Sequence, residues 1–280
     1  MLLTAATNII IRDNIQVLQI NNAFATAEIS LFGGHVLSFK PKHDDKERLW
    51  LSKNSLFDGK KAIRGGIPIC WPWFGDHSSN TDVAAHGYVR TQTWQILNTE
   101  ETELGTTLTL KPATSVGDGF EYDAQLVLIV HIGQQLSIQL HTTNLGNTAF
   151  TYNCALHTYF TISNIHQCEL QGLSEQYADK TLGYQVFETP QPYRFIEETD
   201  RVHLQQPSTL TIIDAEHSKT EILSSGHDSI VVWNPWQHKS ISMGDMADDG
   251  YLNMLCVETA ITQGQNIAPR ATHVLQQVIK

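Results

Sequence analysis

Short runs rich in Val, Ile, Thr, Phe and Leu recur along the whole chain, separated by clusters of Gly, Asn, Asp and Pro. That is the pattern of strands joined by turns. The clearest case is AQLVLIVHI from Ala124, then Gly133 and Gln134, then LSIQLHT from Leu136. In the second run apolar Leu136, Ile138 and Leu140 alternate with polar Ser137, Gln139 and His141, which predicts a hairpin with a half-buried second strand. Similar alternation marks TWQIL from Thr93, TTLTL from Thr106, TLTIID from Thr209 and SIVVW from Ser229. No long stretch carries the 3.6-residue period of an amphipathic helix. Turn signals at intervals of about eight to twelve residues favour two packed antiparallel sheets over a βαβ arrangement. The expected fold class is therefore all-β, a large antiparallel β-sandwich. With no internal repeat, low-complexity tract or linker, residues 1–280 are expected to form a single domain.

Composition narrows the setting. A 41% hydrophobic and 17% charged chain of this length can bury a large core and lacks a disorder signature. The opening MLLTAATNIIIRDN has no basic leader, and the longest apolar run, around Leu126 to Val130, is far too short to span a bilayer. A soluble, cytoplasmic, monomeric protein is expected. Cys70, Cys154, Cys168 and Cys256 are widely spaced and form no C-x-x-C pair, which suits reduced core thiols. A net charge of −11 repels polyanions, so nucleic acid is not an expected partner. A small phosphorylated ligand remains open, since one or two arginines can bind phosphate locally. The mixed-sign run Lys42 to Arg48 is expected to be a solvated loop.

Motif by motif, the chemistry is ambiguous. Of thirteen histidines no two are closer than eight residues, so no H-x-H or H-E-x-x-H ligand pair exists and no metal is expected. Asp245, Asp248, Asp249 and Glu258 are near in sequence, but hydrolysis needs a spatial pair that sequence does not give. In IRGGIPICWPWFG from Ile63 and AAHGYVR from Ala84, Arg64 abuts Gly65-Gly66 and Arg90 follows His86-Gly87. Glycine permits close backbone approach and the guanidinium fork matches phosphate oxygens, so these segments suit an anion cradle, although by themselves they read more readily as tight turns with surface arginines. His157 in ALHTYFTI and Glu258 in LCVETA are lone polar groups in apolar strands, either hydrogen-bonded structural residues or an acid and a base. VVWNPW from Val231 offers tryptophans and an amide suited to a sugar face, or simply core.

Taken in order, IRGGIPICWPWFG, HGYVR, LHTYF, the YADK stretch at Tyr177, VVWNPW and CVE resemble the glucose-6-phosphate 1-epimerase family, within the wider galactose-mutarotase-like group. The resemblance runs from about Gly33 to the C-terminal strands. It implies a β-sandwich with a sugar cleft on one face, no cofactor, and interconversion of the α and β anomers of a hexose 6-phosphate. It makes His157 the general acid, Glu258 the general base, Arg64 and Arg90 the phosphate clamp, and Asp179 and His86 further substrate contacts. Epimerisation of unphosphorylated aldoses and non-catalytic carbohydrate binding are the alternatives. The chain departs from the family pattern at three places. Ala85 stands where some members carry glutamine, Trp73 fills a position often smaller or polar, and Thr259-Ala260 replaces a common proline or glycine. The last departure predicts a differently shaped loop beside the base.

Overall fold

In the computed structural model, which describes residues 3–215 and 218–280, the expected strands are present. They form antiparallel sheets of four, eight and nine strands. The hairpin predicted from Ala124 pairs Ala124–Ile132 with Leu136–Asn144, in register from Ala124 opposite Asn144 to Ile132 opposite Leu136. Its second strand buries Leu136, Ile138 and Leu140 while the polar residues between them stay half-exposed. Period-two patterning gives one face to the core and one to solvent.

The nine-stranded sheet, which includes that hairpin and the C-terminal strand Thr272–Ile279, lies against the eight-stranded sheet. One continuous core joins them, including Leu128, Ile138 and Leu275 from the first sheet and Leu156, Val232 and Val257 from the second. The four-stranded N-terminal sheet, Thr7–Arg12 through His35–Pro41, adds Leu18, Ile29 and Phe39 to the same core. All four cysteines are buried and free.

Two sequence expectations change. Ser229–Asn234, read as an alternating strand, is buried at every position. It is central in the eight-stranded sheet, between Thr199–His203 and Met254–Ile267, and its outer face is covered as well as its inner one. The run Lys42 to Arg48 is a loop but is only partly solvated. Arg48 is buried and bonded to Asp44, and Glu47 accepts from Ser38 Oγ and from the Phe39 and Leu49 amides. Among the described residues no helix is long and apolar enough to cross a membrane.

Candidate active site

The site is built where the eight-stranded sheet loses its regularity. Strand Phe150–Leu156 pairs with Met254–Ile267 as far as Leu156 opposite Thr259, and pairing resumes at Tyr159 opposite Cys256. His157 falls in this gap, opposite Glu258, and its amide is held by the Pro68 carbonyl at 3.1 Å. Strand neighbours alternate faces. Glu258 therefore shares the outer face with Val231, its partner across Ser229–Asn234, as Cys256 does with Trp233 and Trp233 with Asp200.

A cleft of about 230 Å³ opens on this face, lined by residues including His86, His157, Glu258, Asp200, Trp233 and Arg64. Lys180 and Lys239 complete its polar wall. Larger hollows exist, such as one of about 550 Å³ at Lys42, Gln134 and Lys280, but that one holds no buried acid–base pair. Chemistry rather than volume selects the smaller cleft. Side-chain exposure rises from 1% at Glu258 and 12% at His157 to 23% at Lys180, 27% at Arg64 and 43% at Lys239. The histidine–glutamate pair is thus at the floor and the cations nearer the opening.

His157 Nδ1 and Glu258 Oε1 are 3.4 Å apart, too long for a strong hydrogen bond. His157 Nδ1 and Glu258 Oε2 have no hydrogen-bond partner among the described residues. His157 stacks on Tyr159 at 4.9 Å and meets the edge of Trp233 at 6.1 Å, which fixes the ring plane. Burial pushes the His157 pKa well below its ordinary value, assisted by His86, Arg90 and Arg64. Burial also pushes the Glu258 carboxyl well above the usual carboxylate range, against the opposing pull of Lys180 and Arg90. Both shifts favour neutral forms. The two groups lie close enough for their titrations to be coupled, and moving one proton from Glu258 to His157 would give the charged tautomer of the pair.

His86 reaches the cleft from a left-handed turn, with φ of 64°. Gly87 follows it because a Cβ there would collide with the Trp71 carbonyl. Burial first, then Arg90, Lys180 and Arg64, lower the His86 pKa to about 3. Its Nδ1 accepts the Gly75 amide at 3.2 Å, so the neutral ring carries its hydrogen on Nε2 and offers a donor.

Arg64 is placed by Gly65 and Gly66, both at positive φ, where side chains would strike the Trp50 and Val36 carbonyls. His35 Nε2 donates to the Gly65 carbonyl at 2.6 Å and tightens the turn. Arg64 itself bonds Asp245 Oδ2 at 3.1 and 3.2 Å and Tyr159 Oη at 2.9 Å. His35 and Asp245 carried no sequence signal for this role, since each is a single polar residue far from Arg64 in the chain.

The structure does not bring every expected residue into the lining. Arg90 donates to the Ala85 carbonyl at 2.8 Å and lies outside it. Ala85 thus contributes through its backbone. Asp179 is also outside. It pairs with Arg201 at 3.1 Å and accepts from the Thr181 amide and hydroxyl. The reason is strand parity: Asp179 is registered with Arg201, and Arg201 and Asp200 point to opposite faces. Lys180, which follows Asp179, faces the cleft and pairs with Asp200 at 3.1 Å. From VVWNPW, Val231 and Trp233 line the cleft. Asn234 spends its amide on the Tyr251 and Met254 carbonyls, and Trp236 packs on Tyr251. Trp73 donates to the Ala84 carbonyl and packs on His77 and Tyr88, away from the cleft. The loop predicted after Glu258 is not a loop, for Thr259 and Ala260 continue the strand Met254–Ile267.

Among the described residues one donor set suits a metal: atoms of His157, Cys256 and Glu258 lie within 4.8 Å of one another. Three separate backbone positions supply it, so residue spacing could not reveal it. The positive charges of Arg64, Arg90 and Lys180 act on the same pair and oppose a divalent cation there.

A large antiparallel β-sandwich with a polar cleft on one sheet face is the fold class of the mutarotases to which the chain is similar. The chain belongs to the aldose 1-epimerase family, matching it over residues 16–279. It is 35% identical over 262 residues to a protein of Escherichia coli K12 named "Putative glucose-6-phosphate 1-epimerase", covering 89% of this chain and 84% of that one. A protein of the same name from Cenchrus ciliaris is 36% identical over 251 residues, with 85% and 75% covered. The crystal structure of a "putative mutarotase" from Salmonella typhimurium superposes with a TM-score of 0.91 at 30% identity, covering 99% of this chain and 94% of that one.

Proposed function

We propose that this chain interconverts the α and β anomers of a hexose 6-phosphate, glucose 6-phosphate foremost. The observation that carries the reading is the floor of the cleft, where His157 Nδ1 and Glu258 Oε2 are buried without partners beneath the cations Arg64, Lys180 and Lys239. In the charged tautomer, the Glu258 carboxylate takes the proton of the C1 hydroxyl as the C1–ring-oxygen bond breaks. His157 gives its proton to the ring oxygen, leaving an open-chain aldehyde. Rotation about C1–C2 and closure from the other face return both protons. The hydroxyl oxygen and the ring oxygen share one carbon, so the acid and base must sit close together, and a 3.4 Å separation meets that need.

His86 Nε2–H and the Asp200 carboxylate are suited to sugar hydroxyls, and Trp233 offers a flat apolar wall. The phosphate falls to the cations nearer the opening, Arg64 with Lys239, while Arg90 acts through its charge and its hold on the Ala85 carbonyl. This divides the clamp differently from a simple Arg64–Arg90 pair. The names of the relatives support the phosphorylated substrate over a free aldose. Two-dimensional exchange NMR tests the reading, with equilibrated glucose 6-phosphate and glucose offered separately. Faster α–β exchange of the phosphate ester is the expected result. Equal acceleration of both sugars would favour a general aldose epimerase, and binding without acceleration a carbohydrate-binding protein.

A further inference from the structure

The C-terminal strand Thr272–Ile279 turns Leu275, Gln277 and Ile279 toward the inter-sheet core, and all three are fully buried. An amide at a position flanked by Leu and Ile costs free energy unless its polar atoms are bonded. Gln277 bonds them across the sandwich rather than within its own sheet. Its Oε1 accepts from Thr158 Oγ1 at 2.5 Å. Its Nε2 donates to Thr259 Oγ1 at 2.8 Å and to the Val257 carbonyl at 3.2 Å. Thr259 Oγ1 also bonds Ser224 Oγ at 2.7 Å, which adds Lys219–Ser225, the strand beside Gln277 in its own sheet, to the network.

Every residue held in this way adjoins the acid or the base. Thr158 follows His157, and Val257 and Thr259 flank Glu258. Because neighbours on a strand face opposite sides, the residues that put His157 and Glu258 into the cleft put Thr158 and Thr259 into the core. The main-chain bond between them, Val257 N–H to the Thr158 carbonyl, is 3.2 Å. It lies in the gap where regular pairing lapses, so the sheet alone constrains this place weakly. We propose that Gln277 is a positioning residue that fixes the separation of His157 and Glu258 from behind, tying the two backbone segments that carry them to one side chain. The inference rests on the assignment of this pair as the mutarotase acid and base.

The test compares Gln277→Leu with the triple variant Thr158→Val, Gln277→Leu, Thr259→Val. The single change strands a hydroxyl and a carbonyl in the core and lowers stability. The triple removes the three side-chain polar groups together, leaving only the Ser224 hydroxyl and the Val257 carbonyl without these partners, and so restores part of the stability. Positioning predicts that kcat falls roughly tenfold to a hundredfold in both, with KM little changed, since small displacements of reacting groups cost that much. A structural role alone predicts that the triple recovers kcat along with melting temperature. Thr158→Ser, which keeps the bond to Gln277, is expected to retain most of kcat where Thr158→Val does not. Nitrogen-15 NMR of the His157 ring gives a readout apart from turnover: its titration midpoint and shifts should move in the folded triple variant. A wild-type protein that fails to exchange anomers overturns the mutarotase reading but leaves the ring measurement to judge the clamp. Wild-type kcat and an unmoved His157 signal in the triple variant would overturn the proposal.

Discussion

On the proposed mechanism Glu258 and His157 face the same difficulty from opposite sides, because burial opposes the charge each would carry during proton transfer. A single proton shared between them would resolve it, as the neutral and charged tautomers hold the same number of protons. Loss of either partner ends that exchange. Glu258→Gln and His157→Asn are each expected to slow anomer exchange by roughly 10²–10⁴-fold while leaving sugar-phosphate binding nearly intact. The double variant should lose less than the product of the two, since the pair acts as one unit. The wild-type pH–rate profile should be bell-shaped. Its acid limb reports uptake of a second proton, below the ordinary histidine value because His157 is shifted down. Its alkaline limb reports loss of the shared proton, above the ordinary carboxylate value because Glu258 is shifted up. Each single variant should keep one limb only. A folded Glu258→Gln protein with near-normal exchange would make the glutamate structural. Arg64→Ala should weaken binding of the phosphate ester by about 1.5–3 kcal/mol, the worth of a charge-assisted bond, and an unchanged preference over free glucose would place the phosphate elsewhere. EDTA should leave the exchange rate unaltered, because proton transfer by the pair needs no Lewis acid; loss of rate restored by zinc would assign the His157–Cys256–Glu258 set to a metal.

At the scale of strands, the decisive variable is which face a residue takes. Period-two patterning made the Ala124–Asn144 hairpin readable in advance, because one of its faces meets solvent. It could not separate Asp179 from Lys180, since the choice depends on registration with Thr199–His203, a strand some twenty residues downstream. Nor could it read Ser229–Asn234, buried on both faces, or foresee that Thr259 would extend a strand rather than shape a loop. His157, Glu258, Arg64 and His86 were all named from the sequence through the order of their motifs and do converge on the cleft. Lys239 and Asp200 were missed because neither stands in a motif, and only the short helix Trp236–Ser242 and the strand parity bring them in. The ion pair of Asp179 with Arg201 is nearly enclosed, with 5% and 12% of the two side chains exposed. Removing one partner leaves an uncompensated charge, so Asp179→Ala should cost on the order of 3 kcal/mol of stability. Urea unfolding measures this. A variant as stable as the parent yet defective in sugar-phosphate binding would return Asp179 to the site.

Across the whole molecule, acidity should act through histidines more than through net charge. The chain carries a formal −11 at neutral pH and has a pI near 5.5, so relief of self-repulsion alone would stabilise the fold as pH falls toward that value. Among the described residues, seven histidines oppose this. Burial is the first cause in each, and it lowers His35 to about 4, His86 and His203 to about 3, and His141, His157, His227 and His273 below their ordinary value. A group with a depressed pKa binds fewer protons folded than unfolded, so its linkage favours the folded state above about pH 6.5 and turns against it as pH falls from there toward the folded value. For fully buried His35 the difference between 6.5 and about 4 corresponds to on the order of 3 kcal/mol once pH drops below 4. Asp200 and Glu258, whose pKa values are raised, run the other way, because they bind more protons folded than unfolded above the ordinary carboxylate range. Two such groups do not balance seven. The melting temperature is therefore expected to fall between pH 7.5 and pH 5.5, although the net charge shrinks over that interval. Differential scanning calorimetry at constant ionic strength checks it, and a melting temperature that holds or rises toward the pI would show that charge repulsion outweighs the buried imidazoles.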